Sequence, residues 1–383
     1  MEKSQDFIPI IDIMTEASAD GSVPCSQVYV IQNNQPVLNA SCGQILPDKS
    51  VTEYTRFDLA SVTKLFTTAA FMKLTEMGKV SLDDPVSSVL PEFTGLRSIH
   101  PYEEPLIEGA FCDVSRGFAN PVDAGNISFR QLLTHTSGLP AWRPFYRCPN
   151  RETARSMALH TFFSYKPDSN VIYSDLSLIL TGWAIEKMTN LSLNQAVQNL
   201  ITNPLSLSSV CFRPLDSQLH AVDPLPPEGI AQTEICHWRK WRLQGEVDDE
   251  NSAFFGGISG HAGLFSTARD LAAFGNTFLN PGKLLLPATI SEMTHVQTTN
   301  LDGKIRRGIG FQLWTDDPAA SWYPFSSSVF GHMGFTGTAL WIDPEYHLSV
   351  ALLTNEVFNG RKNRKIASFR SKFFTALMNI LFK

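Results

Sequence analysis

Ser61 and Lys64, three apart in Ser61-Val62-Thr63-Lys64, are the pair in this chain whose types and spacing most directly suggest chemistry. From Leu65 onward, Phe66, Ala69, Ala70, Lys73, Leu74 and Met77 recur at three and four, which predicts a helix starting near Ser61 and stopped by Gly78. Positions three apart are neighbours on a helix face, so the Lys64 ammonium comes within reach of the Ser61 hydroxyl. A buried helix start also turns unpaired N–H groups and the positive end of the dipole toward any anion formed beside Ser61, and it disfavours the charged form of Lys64. Under those conditions a serine becomes a nucleophile without a histidine. Taken alone, the tetrapeptide is better read as a capping serine and a solvated lysine, because Ser-x-x-Lys is frequent by chance. Partners elsewhere must decide.

Two later stretches supply them. Tyr173-Ser174-Asp175 lies in a turn just ahead of a helical pattern, where a phenol and a carboxylate project together. Gly331-His332-Met333-Gly334-Phe335-Thr336-Gly337 enters a strand running from Thr338 to Ile342, and its glycines let backbone approach a substrate closely. Each is weak by itself; in this order, with a helical segment between the first and the third, the combination is far less frequent by chance.

The elements that must position these residues follow from periodicity. Residues 7–19 read as a helix. Residues 28–42 read as a hairpin with Asn33-Asn34 as its two-residue turn, which would place Cys25 opposite Cys42. Residues 97–128 are irregular and Pro/Gly-rich, as expected of a site rim or an insertion. Helices are expected at 127–134, 176–188 and 193–201, and another follows a Thr267/Asp270 capping box. Strands are expected at 308–314, 338–342 and 347–354, and an amphipathic helix from Ile366 to Leu381 should pack on the sheet. The fold class expected is α/β of the α+β type, an antiparallel sheet flanked by helices and built from both chain ends. Residues 1–80 and 300–383 would form that lobe and 81–299 a mainly helical inserted lobe, with the active site between them.

At this point the chain resembles the serine β-lactamase and penicillin-binding-protein superfamily, in its class C-like branch of low-mass DD-peptidases and related esterases. The likeness runs from about residue 24 to about 370 and includes the stretches Leu132 to Pro140 and Ser259 to Thr267. The resemblance implies that Ser61 is the acylated nucleophile, Lys64 its basic neighbour and Tyr173 the proton shuttle to the leaving group. It puts Asp175 at the usual Asn or Asp position and His332-Met333-Gly334 in place of Lys-Thr-Gly. The backbone N–H groups of Ser61 and Phe335 would form the oxyanion hole, with Met333, Gly334 and Thr336 lining the substrate.

His332 and Met333 depart from that pattern. Histidine is only partly charged near neutrality and methionine donates no strong hydrogen bond, so recognition of a substrate carboxylate should be weaker. No separate Glu of the class A deacylating kind is evident. An esterase or amidase, or a DD-peptidase with relaxed recognition, fits better than a β-lactamase. A non-catalytic descendant that binds a peptide or partner in the same cleft is the alternative from another class, and the joint presence of Ser61, Lys64 and Tyr173 speaks against it. His261 and His135 read as structural.

The bulk properties bound the rest. The chain has 383 residues, long enough for two lobes, with 43% hydrophobic and 18% charged residues. A net charge of −6 argues against a nucleic-acid surface. No phosphate loop, dinucleotide fingerprint or metal spacing is present, so neither an organic cofactor nor a metal is expected. The partner expected is a small ester, amide or peptide substrate. Glu2, Lys3 and Asp6 precede a short run broken by Pro9 and Asp12, unlike a signal peptide, and the six cysteines read as reduced thiols. Both observations point to the cytoplasm.

Overall fold

The computed structural model describes residues 7–382 except 47, 108, 224, 299–304, 317–323 and 363, so Glu2, Lys3 and Asp6 lie outside the described residues. A seven-stranded sheet is assembled from both ends of the chain: β1 (Cys25–Gln32), β2 (Gln35–Leu46) and β3 (Lys49–Ser50) from the first, β4 (Gln312–Leu313), β5 (Phe330–Met333), β6 (Ala339–Asp343) and β7 (Leu348–Thr354) from the second. Its order is β4-β5-β6-β7-β1-β2-β3, and every pairing is antiparallel.

Alternation along the strands divides the interior in two. In β7, Leu348, Val350 and Leu352 face a core shared with Trp341, Phe373 and Leu377, while Ala351 and Leu353 face the larger core with Phe66 and Phe274. The first core is closed by α1 (Ile8–Ala19) and the last helix (Ile366–Leu381), which buries Phe369, Phe373, Phe374 and Leu377. The second is closed by α2 (Thr63–Glu76) and the helix Ala268–Asn276. In that helix Gly275 lies so close to the sheet that a Cβ there would meet Ser349 Oγ at 2.5 Å. Eleven of the fourteen α2 residues are buried, as expected of a helix packed on every side; Phe66 stacks on Phe274 at 3.9 Å.

Several expectations are corrected. Asn33 and Asn34 do form a two-residue turn, both with φ near +60°, as a type I′ hairpin needs. The simple register ends one pair later: Ile31 opposes Pro36, then a bulge moves Val30 opposite Leu38 and Cys25 opposite Gly43, leaving Cys42 opposite Ser26. Pro36 has no N–H for the ladder, which accounts for the slip. Cys25 and Cys42 therefore do not face each other, and all six cysteines are free thiols. Residues 308–314 contribute only the short strand Gln312–Leu313, and His332 belongs to a strand of its own, β5, rather than to the entry of β6. Thr267 caps Asp270 N–H, but the Asp270 carboxylate accepts from Ser209 N–H instead of completing the box. Among the described residues, no helix is long and apolar enough to cross a membrane.

Candidate active site

Ser61 sits just ahead of α2, in a 3-10 turn spanning Ala60–Val62, and the α-helix itself starts at Thr63. Ala60 holds φ at +47°, an unusual value for a residue with a Cβ, and Asp58 fixes it there: Oδ1 accepts Ala60 N–H at 2.8 Å and Oδ2 accepts Asp248 N–H at 2.6 Å. Two threonines of the β5–β6 turn fasten the same loop from the other side. Thr336 Oγ1 donates to Asp58 O at 2.8 Å and Thr338 Oγ1 to Leu59 O at 3.0 Å. The approach is close enough that a Cβ on Gly334 would meet Leu59 O at 2.6 Å. Thr336 is thus fully buried structure and not a cavity-lining group, and Gly334 serves the same close packing.

Lys64 is 1% exposed, with Nζ 2.8 Å from Ser61 Oγ, 2.9 Å from His261 O and 2.8 Å from Asp175 Oδ1. An ammonium has three protons and here each has an oxygen to meet. Burial pulls the Lys64 pKa down, but the Asp175 carboxylate and the Tyr173 hydroxyl outweigh it and the pKa lies above its ordinary value. The expectation of a discharged Lys64 is therefore corrected, because the paired carboxylate comes from a helix start more than a hundred residues away in the chain. Tyr173 lies beside this ammonium, 4.8 Å from ring centroid to Nζ, and its buried hydroxyl faces the Lys64 ammonium and the Ser61 hydroxyl. Burial raises the Tyr173 pKa more than Lys64 lowers it, leaving a neutral phenol.

Three further groups brace the tyrosine. His135, also at positive φ, accepts Ser174 N–H on Nδ1 at 3.1 Å and lies 4.8 Å from the Tyr173 ring, so its structural role is the positioning of the Tyr173-Ser174-Asp175 turn. The Arg307 guanidinium is buried 5.4 Å from the same ring. His332 lies 5.7 Å from it; Nδ1–H donates to Met333 O at 2.8 Å, and buried Nε2 is left as an acceptor with no partner among the described residues. Burial, Lys64 and Arg307 together hold the His332 pKa well below its usual value, so the ring is neutral at physiological pH and not partly charged. Met333 points the other way, packed against the core of the last helix with Arg370 Nη1 3.2 Å from its sulfur.

The cleft in front of Ser61 measures about 250 Å³ and is lined by Ala60, Ser61, Tyr173, Asp175 and Phe335 together with Trp142, Asp248, Asp249, Glu250 and Arg361. His261 lies behind it, bonded to Ser259 Oγ at 2.8 Å and to Asp249 Oδ1 at 2.9 Å, while its carbonyl anchors Lys64. The structural reading of His261 holds, with side-chain partners in place of backbone ones. Donor atoms of Asp175, Asp249 and His261 lie within 4.8 Å of one another, close enough for a cation, but they are already matched to Lys64 and to each other. Sequence reasoning brought Ser61, Lys64, Tyr173, Asp175 and His332 to one place and missed Asp58, Arg307 and the 248–250 wall. Only Asp58, three residues before the serine, lay near a recognised motif.

Comparison with known proteins identifies the family. The beta-lactamase family model matches residues 10–370. A protein of Escherichia coli (strain K12) named "Putative D-alanyl-D-alanine carboxypeptidase" is 29% identical, over 90% of this chain and 81% of its own. The fold is shared with EstCE1, described as a hydrolase with promiscuous acyltransferase activity (TM-score 0.69, 21% identity, 96% of this chain and 99% of that one). It is shared too with simvastatin synthase of Aspergillus terreus (TM-score 0.71, 19% identity, 98% and 97%). With the family model covering all but the two ends of the chain, this protein belongs to the beta-lactamase family of serine hydrolases.

Proposed function

We propose that the protein hydrolyses small esters or amides that carry no carboxylate, through an acyl-enzyme on Ser61. The observation that carries this reading is Lys64, fully buried and bonded at once to Ser61 Oγ and Asp175, with the Tyr173 phenol beside it at the cleft. We take 1–80 and 300–383 as the sheet lobe and 81–299 as the helical lobe on the other side of the cleft, except that helix Ala268–Asn276 packs on the sheet. Ser61 Oγ attacks the carbonyl carbon, and the oxyanion is received by the N–H groups of Ser61 and Phe335. The hydroxyl proton passes to the Lys64/Tyr173 pair, and Tyr173 hands a proton to the departing alcohol or amine. Water then attacks the ester, the same pair takes its proton and returns it to Ser61 Oγ as that oxygen departs, and the acid and free Ser61 are released. EstCE1, described as a hydrolase with promiscuous acyltransferase activity, supplies fold-level support for acyl transfer in this scaffold. The name of the Escherichia coli relative favours a DD-peptidase as the second reading. Covalent labelling tests the proposal: a fluorophosphonate should add to Ser61, located by peptide mass, and labelling that persists in Ser61→Ala refutes it.

The charge state of Lys64 sets the pH dependence. Both Lys64 and Tyr173 hold their protons at neutrality, so the reactive form is the pair short of one proton, and its population grows as pH rises. Ester kcat/KM should climb through the neutral range toward an alkaline plateau. Asp175 holds the Lys64 pKa up, so Asp175→Asn should move that limb to lower pH. A limb that stays put, or moves to higher pH, removes Asp175 from this role.

We further place the protein in the cytoplasm, a reading supported by the six unpaired thiols. Thiol titration of denatured protein from the native host should find six free groups; a disulfide would contradict it.

A further inference from the structure

The wall opposite Tyr173 is acidic beyond what the reaction uses. Asp175 is matched by Lys64, Asp249 by His261, and Glu250 by Arg361, whose Nη2 lies 2.6 Å from Oε1. Among the described residues Asp248 makes no ion pair, and it shares the field of Arg361 with Glu234 and Glu250. Its side chain lines the cleft, the residue is 2% exposed, and Oδ1 has no hydrogen-bond partner among the described residues. Arg239, nearby in sequence, donates Nη1 and Nη2 at 2.7 Å to the main-chain carbonyls of Val247 and Asp248, not to the carboxylate. A buried carboxylate without a direct ion pair is costly, and the neighbouring Asp58 carboxyl adds to that cost.

Trp142 is the second feature. Its half-buried indole lines both this cleft and the adjoining cavity of about 790 Å³, which also contains Glu103, Glu104 and Glu234. Several rings of this protein carry a guanidinium or ammonium from the chain, among them Tyr146, Trp183, Trp238 and Phe335, but among the described residues none lies over Trp142. An aromatic face beside an unmatched carboxylate is the recognition chemistry of an ammonium ion.

We propose that Asp248 and Trp142 form a subsite for a cationic group of the substrate, so that the preferred compounds are esters or amides carrying an ammonium. This rests on the hydrolase reading above and narrows its substrate class. Arg361, held between Glu234 and Glu250 and within the field of Asp248, is one cation against three carboxylates, which leaves negative charge on this wall for a cationic ligand to meet.

Matched substrate pairs test it. Acetylcholine and its uncharged carbon isostere 3,3-dimethylbutyl acetate differ in charge on the alcohol side. Alanine methyl ester and N-acetylalanine methyl ester, compared at pH 6, differ on the acyl side. The expected result is a preference of tenfold or more in kcat/KM for the cationic member of at least one pair, falling as salt is raised. That ratio should drop at least threefold in Asp248→Asn, and also in Trp142→Leu, a rim substitution that keeps the interpretation open should the buried one impair folding. Equal rates within both pairs overturn the subsite and leave the hydrolase reading standing. A preference unchanged in both variants overturns the assignment to these residues. Turnover of no ester at all, in protein of normal thermal stability, overturns the hydrolase reading and this inference with it.

Discussion

Alanine in place of Ser61 lowers ester turnover by about 10⁴- to 10⁶-fold and abolishes covalent labelling, with the melting temperature little changed. The magnitude is that of removing a nucleophile whose partners act as one unit, where any single loss costs nearly as much as losing all. The stability expectation follows from position. Ser61 lies at the cleft surface, and the loop around it is held by other groups: Asp58 through Ala60 N–H, and Thr336 and Thr338 through the carbonyls of Asp58 and Leu59. Lys64→Ala should give a comparable loss of labelling, but at a cost in stability, because it leaves the carbonyl of His261 and the carboxylate of Asp175 without their donor. A Ser61→Ala protein that retains more than about one part in a hundred of its turnover would mean that another group attacks the carbonyl.

The two errors that matter for function have one cause. Local periodicity placed Ser61 and Lys64 side by side, and the contact between them is 2.8 Å. What periodicity could not carry was the charge state, since Asp175, Tyr173 and the His261 carbonyl reach Lys64 from separate parts of the chain. The same holds for His332. As an isolated imidazole it would titrate near neutrality, and only its burial between Lys64 and Arg307 makes it a neutral acceptor.

Elements with strong, uninterrupted patterns were legible: the last helix runs Ile366–Leu381 as its spacing predicts, and β7 reads directly from Leu348–Thr354. The β5 strand was hidden because Gly331 depresses strand propensity while serving close contact, a Cβ there falling 2.0 Å from Leu340 O. The hairpin register failed at Pro36, where one missing N–H shifts every later pair. Asp58, Arg307 and Asp248 escaped because nothing local marks a single charged residue as buried. Their significance comes from what the fold sets against them.

The neutral His332 leads to the other large effect, discrimination against substrate carboxylates. A lysine at this position would offer a buried substrate carboxylate a charge-assisted hydrogen bond worth about 1.5 to 3 kcal/mol. Here the equivalent ring already donates Nδ1–H to Met333 O and presents a bare lone pair on Nε2. With about 1.4 kcal/mol per factor of ten, kcat/KM for an anionic ester should be about ten- to a hundredfold below that of its neutral partner. p-Nitrophenyl butyrate and mono-p-nitrophenyl glutarate make the pair. Because the His332 pKa lies well below its usual value, the ring stays uncharged on passing from pH 8 to pH 6, and the ratio of the two rates should stay flat over that range. A ratio that shifts toward the anionic substrate with a midpoint near 6.5 would show that the ring titrates normally. His332→Lys should narrow the gap, by less than the full factor, since the new ammonium would share its surroundings with Lys64 and Arg307. A wild-type preference of tenfold or more for the anionic ester would make the DD-peptidase reading the better one.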